Sequence, residues 1–102
     1  MAVTLQVIYP ATEGTKFDMD YYINTHLPMV GEYMGAHIDH TLVTKGTGAP
    51  GGGTAGFHAV ASIVFADQGE LDAALSKAGP VVADIANFTD SAPQMLLGET
   101  IG

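Results

Sequence analysis

Residues 57 to 65 read Phe-His-Ala-Val-Ala-Ser-Ile-Val-Phe, and a run so dense in apolar and β-branched side chains fits a strand at the centre of a sheet. Its neighbours in the sheet must come from the same short chain. Residues 3 to 9 place Val3, Leu5, Val7 and Tyr9 on one side at period two, which reads as a first strand ended by Pro10. Alternation resumes from Ile38 to Lys45, and Met95 to Ile101 supplies a last strand. Gly46 to Gly56, with six glycines and one proline, lacks the Gly-Lys-Ser/Thr ending of a phosphate loop and reads as a hairpin connection.

Two helical regions separate these strands. Asp18 is a good N-cap, and Met19, Ile23, Leu27, Val30 and Met34 follow at three-to-four spacing, with a break expected near Pro28 and a stop at Gly35. Asp67 caps a second helix with the stripe Leu71, Ala74, Leu75 and Ala78. Gly79-Pro80 interrupts it, and a further helical piece over 81–88 carries Val82, Ile85, Ala86 and Phe88.

The order β, α, β, β, α, β predicts an α+β domain spanning residues 1–102, with a four-stranded antiparallel sheet and both helices on one face, the ferredoxin-like arrangement. Such a sheet keeps one face uncovered. Val, Leu, Ile and Phe occupy both alternation phases of strands one, three and four, an excess for a face in water, and a second copy of the chain is the simplest cover. The expected state is a homodimer.

Charge narrows the partners. Eleven carboxylates stand against Lys16, Lys45 and Lys77, the chain has no arginine, and the formal charge is −8. Nucleic acid is therefore not an expected partner, and an anionic ligand would lack the fork that arginine supplies. A neutral or weakly polar ligand is the better match. The sequence contains no cysteine, which removes thiolate chemistry and disulfides. No apolar run approaches the ~20 residues that span a bilayer, and no leader pattern precedes the first strand, so the expected location is cytoplasmic without a membrane role.

The most informative segment for chemistry is Phe17-Asp18-Met19-Asp20-Tyr21-Tyr22-Ile23-Asn24-Thr25-His26-Leu27-Pro28. On a helix Tyr22 and His26 are one turn apart, offset by about one hundred degrees from the Met19-Ile23-Leu27 stripe, and Tyr33 returns near their line. An imidazole titrates near neutrality and moves protons, and a phenol can donate to a developing oxyanion. From spacing alone, the commoner reading of such a group is a packed histidine bonded to backbone beside core aromatics. Met29 and Met34 fit core filling or an apolar pocket.

Other polar clusters point elsewhere. His37-Ile38-Asp39-His40 offers three metal-ligand types, but on a strand His37 and His40 face opposite ways, and no metal site is expected. Asp18, Asp20, Asp67 and Glu70 sit in first turns, where they suit caps and the helix dipole. No carboxylate pair stands out. Glu99 shares a phase with Met95, Leu97 and Ile101, and the register of His58 is open.

The strand ending in Tyr9-Pro10, the Phe17 entry, the Tyr21-Tyr22 pair and the His26-Leu27-Pro28 motif together resemble the EthD family of the dimeric α/β-barrel superfamily. The resemblance implies two ferredoxin-like protomers packed sheet to sheet, with a small apolar or aromatic molecule held between helices and sheet. It implies His26 as a catalytic residue facing that cleft. Tyr22 is a second catalytic candidate, and Tyr33, Met29 and Phe17 are candidates for substrate contact. Relatives of this architecture include isomerases and cofactor-free monooxygenases, so the expected activity is of oxidoreductase or isomerase type with no cofactor. A shared fold does not transmit a reaction. The alternatives are a non-catalytic module that binds or delivers an apolar compound, and an interaction scaffold whose cleft is filled by its own side chains.

Overall fold

The computed structural model describes all 102 residues. Four strands form one antiparallel sheet in the order β2-β3-β1-β4, where β1 is Val3–Pro10, β2 His40–Lys45, β3 Phe57–Phe65 and β4 Gln94–Glu99. Helices pack on one face, as the strand order predicts for an α+β ferredoxin-like fold. The two most apolar strands lie in the middle. Leu5, Val7 and Tyr9 of β1 and Ala59, Ala61, Ile63 and Phe65 of β3 alternate onto the helix side and are buried there. Between the edge strand β2 and β3, the connection turns through Gly51 and Gly52, both at φ +87°.

The first helical region is continuous but not uniform. It comprises α1 (Met19–Tyr21), a π-helical turn over Tyr22–His26, and α2 (Leu27–Met34). Asp18 caps α1 by accepting from the Tyr21 amide at 3.1 Å. In place of a break at Pro28, the helix widens just before it: the Leu27 amide donates to the Tyr22 carbonyl, five residues back. Pro28 then enters α2 in its first turn, where its missing donor costs least. The wide turn also changes which residues face inward. Tyr22 and His26 become buried, while Ile23, assigned to the apolar stripe by spacing, is 50% exposed.

The second region holds α3 (Gln68–Leu75), capped by Asp67 through the Glu70 amide, and α4 (Gly79–Asp84), which runs into a 3-10 turn over Ile85–Asn87. Its inward line is Val81, Asp84 and Phe88, with Ile85 half-buried and Val82 turned outward. The two helical regions are tied together beside α1. The Asp18 amide donates to the Phe88 carbonyl at 2.7 Å, the Thr89 hydroxyl donates to the Lys16 carbonyl, and the Lys16 amide donates to Asp90. These bonds, with the Phe17–Thr89 bridge, hold the segment containing His26 against the one containing Asp84.

Candidate functional site

The π turn stacks the Tyr22 and His26 rings with centroids 5.6 Å apart and planes 16° from parallel. Phe88 packs against both, its ring centroid 4.6 Å from that of His26 and 5.2 Å from that of Tyr22. Tyr9 and Phe17 complete the cluster by edge-on contacts with Tyr22 and Phe88. Aromatic pairs of this kind add about 0.5–1.5 kcal/mol each beyond area burial, so the imidazole sits in a stiff apolar setting.

Its polar partner is Asp84. His26 Nδ1 lies 3.0 Å from Asp84 Oδ2, with the two side chains only 4% and 7% exposed. Asp84 Oδ1 accepts from the Tyr21 hydroxyl at 2.7 Å and from Asn87 Nδ2 at 3.0 Å. Burial raises the carboxyl's proton affinity, but the bonds from Asn87, Tyr21 and His26, with the charge of His26, outweigh it and hold the pKa below the ordinary range. Asp84 therefore stays ionised and accepts from His26 Nδ1–H, which in the neutral imidazole leaves Nε2 as the acceptor. As the last residue of α4, the carboxylate stands at the unfavourable end of a helix dipole and depends on its three donors for compensation. Its hydrogen bond raises the Tyr21 phenol's pKa, with burial assisting, so that hydroxyl remains a donor.

His26 borders a cavity of about 330 Å³ between helices and sheet. Its floor is Leu5, Val7, Ala61 and Ile63, its roof is Leu27, Val30, Met34, Val81 and Ile85, and the exposed His40, Thr41, Leu75 and Val82 lie at its rim. No Lys, Arg, Asp or Glu lines it. The volume falls within the range of small-molecule sites.

Of the candidates named from sequence, His26 and Tyr22 come together on the cavity wall. Tyr33 is 40% exposed, and neither it nor Met29 contributes to the lining. Phe17 supports the cluster from behind, stacked on His58 at 5.2 Å, and also stays out of the lining. His37 belongs to a 3-10 turn rather than a strand, with Glu70 at 3.1 Å from Nδ1 and Lys77 at 2.8 Å from Nε2. Glu99 is exposed on β4.

Asp84 and Asn87 escaped the sequence reading, and Tyr21 entered it only as part of the Tyr21-Tyr22 pair, without a role. One signal for Asp84 was present: Val81, Asp84, Ile85 and Phe88 recur at helical spacing, which puts a carboxylate on an apolar stripe. Buried carboxylates need partners. Which partner it had was not encoded locally, because His26 lies 58 residues away.

An EthD domain matches residues 13–92 of the chain. Among solved structures, an EthD-like protein from Ralstonia eutropha JMP134 is 32% identical, with a TM-score of 0.87 over 99% of this chain and 93% of that one. An ethyl tert-butyl ether D family protein from Bacillus halodurans C-125 is 22% identical, with a TM-score of 0.77 over 99% and 100%. HapK from Hahella chejuensis shares the fold at 15% identity and a TM-score of 0.56, over 96% and 93%. No curated protein matches the sequence. By the domain match and the likeness to the Ralstonia relative, the chain belongs to the EthD family.

Proposed function

We propose that the protein is a cofactor-independent enzyme of isomerase or oxidoreductase type acting on a hydrophobic, cyclic or aromatic small molecule. The carrying observation is the buried His26–Asp84 pair at the wall of an apolar cavity. Asp84 orients the imidazole, and Nε2 is the group that moves a proton at the ligand. For a ligand with a carbonyl, Nε2 takes a proton from the adjacent carbon. The C–H electron pair forms a carbon–carbon double bond, and the carbonyl π pair moves onto oxygen. Return of the proton to the same or a conjugated carbon completes an exchange or an isomerisation. The apolar lining excludes water from the step. Tyr22 supports it as the ring on which the imidazole is stacked.

Proton exchange into deuterated water from cyclic ketones such as 2-tetralone, followed by NMR, tests this reading. The expected result is buffer-independent exchange by the full chain that is lost in His26→Gln. The second reading, a non-catalytic binding module, is favoured by the apolar character of the cavity as a whole. Saturable ketone binding without exchange above the buffer rate, and unaltered by His26→Gln, would replace the enzyme with that module. The cavity itself argues against a scaffold filled by its own side chains.

The working unit is a homodimer in this proposal. The face of the sheet away from the helices carries Ile8, Val60 and Val64, with Leu42 and Leu96 at 68% and 54% exposure. A second copy laid on that face would cover them and leave the cavity on the other side free. Sedimentation at micromolar concentration checks this, with a monomer alone as the contrary outcome.

A further inference from the structure

Three polar atoms on residues that line the cavity make no hydrogen bond within the chain: the hydroxyls of Tyr9 and Tyr22, and His26 Nε2. They differ in access. The Tyr22 hydroxyl is buried without a partner and sealed from any water-sized space. Tyr9 Oη and His26 Nε2 are not among the sealed atoms, although their residues are only 1% and 4% exposed. Both residues line the cavity, and both atoms keep some accessible surface without a partner in the chain. The phenol expected from helical spacing to orient a ligand oxygen is closed off, and one from β1 is open.

Tyr9 is held as a positioned donor should be. It is the last inward residue of the central strand β1, opposite Ala59, whose small side chain leaves room beside it. Three edge-on contacts fix its ring, to Phe17 at 5.3 Å and to Tyr22 and Phe88 at 5.7 Å each. Tyr22 and Phe88 are also the rings that clamp His26, so Tyr9 and His26 pack against the same pair. Desolvation by burial raises the Tyr9 phenol's pKa, with repulsion from a Tyr22 phenolate adding to it, so the hydroxyl keeps its proton. In the neutral imidazole Nε2 is the acceptor, because Nδ1 gives its hydrogen to Asp84.

We propose that Tyr9 is the specificity-determining residue of the cavity, donating its hydroxyl hydrogen to a carbonyl-type oxygen of a neutral ligand while His26 Nε2 faces a proton beside that oxygen. This inference rests on the reading of the cavity as a small-molecule site and names the class that the site selects: compact, mainly hydrocarbon ketones with an acidic neighbouring C–H. In the exchange step the oxygen gains charge as the proton leaves, and the Tyr9 hydrogen bond strengthens with it. Carboxylates are disfavoured, because no cation lines the cavity and Asp84 stands behind His26.

The test is an NMR titration of the full-length protein with naphthalene, 2-tetralone and 1-naphthoate, in the wild type, Tyr9→Phe and Tyr33→Phe. Tyr9→Phe is expected to weaken 2-tetralone about tenfold, as loss of one buried hydrogen bond does, and to change naphthalene less than about twofold, which also reports an intact cavity. Tyr33→Phe is expected to change neither, and 1-naphthoate should bind the wild type at least about tenfold more weakly than 2-tetralone. Equal effects of Tyr9→Phe on naphthalene and 2-tetralone, or none on either, would overturn the assignment while leaving the cavity as a ligand site. Preferred binding of 1-naphthoate would overturn the neutral-ligand class. If none of the three probes binds the wild type, the small-molecule reading falls together with the role of Tyr9.

Discussion

Between distant segments the protein twice sets an imidazole Nδ1 beside a carboxylate oxygen, at 3.0 Å for His26–Asp84 and 3.1 Å for His37–Glu70, while a third such contact, His40–Asp39, joins sequence neighbours. Distance does not distinguish them. The first pair is 4% and 7% exposed, its carboxylate has two further donors, and its histidine lines the cavity with no partner in the chain on the second ring nitrogen. The second is 20% and 43% exposed, and Lys77 occupies the other nitrogen. Low dielectric strengthens the first and makes its geometry hard to leave, while water screens the second. A histidine–carboxylate contact becomes a site through burial, fixed tautomer and an open nitrogen together.

The sharpest way to break this contrast is kinetic. Replacing His26 with Gln should lower ketone proton exchange by about 10²–10⁴-fold, the usual contribution of a positioned acid or base, whereas His37→Gln should change it less than about twofold. NMR exchange rates compare the two directly. In equilibrium urea unfolding, Asp84→Ala should cost about 3 kcal/mol, because it strands a buried imidazole, and Glu70→Ala should cost less than about 1 kcal/mol.

Acid sharpens the same comparison. The Asp84 carboxyl titrates below its ordinary value of 3.8 in the folded chain, so its contribution to stability is present above that value and is lost as pH falls through the folded pKa. Asp84→Asn should therefore flatten the acid limb of a stability-against-pH curve. The smallest effect concerns the sealed phenol. Tyr22→Phe should be neutral or stabilising by up to about 1 kcal/mol, since it removes an unpartnered buried hydroxyl. Burial pushes the Tyr22 phenol up to about 12 from 10.0, so its protonated form contributes stability that is lost as pH rises through that interval. The variant should lose less stability than the wild type at high pH, as thermal melts along an alkaline series would show.

Strand order and helix caps were legible because they are local. Alternation in 3–9 and 57–65 is visible without knowing what lies across the sheet, and Asp18 and Asp67 announce the helices that they cap. The His26 segment was legible too, through its family resemblance. Three things were not. The identity of the buried carboxylate depended on a contact between residues 26 and 84, which no periodicity records. The exchange of Tyr22 for Tyr9 as the open phenol depended on which hydroxyl the packing seals. The inward face of the first helix depended on hydrogen-bond spacing: a regular α-helix would have buried Ile23, and the chain formed a π turn.

That turn makes the segment sensitive to length more than to composition. Substitutions between Tyr22 and His26 fall on Ile23, Asn24 and Thr25, all exposed, and should be tolerated. Removal of any one of these three would restore an ordinary helical turn and rotate everything after it by about one hundred degrees. Such a deletion would carry His26 off its carboxylate or Met34 out of the core. The reading frame at this turn is thus a physical quantity, and one residue lost from it would disturb the site as directly as the loss of a side chain.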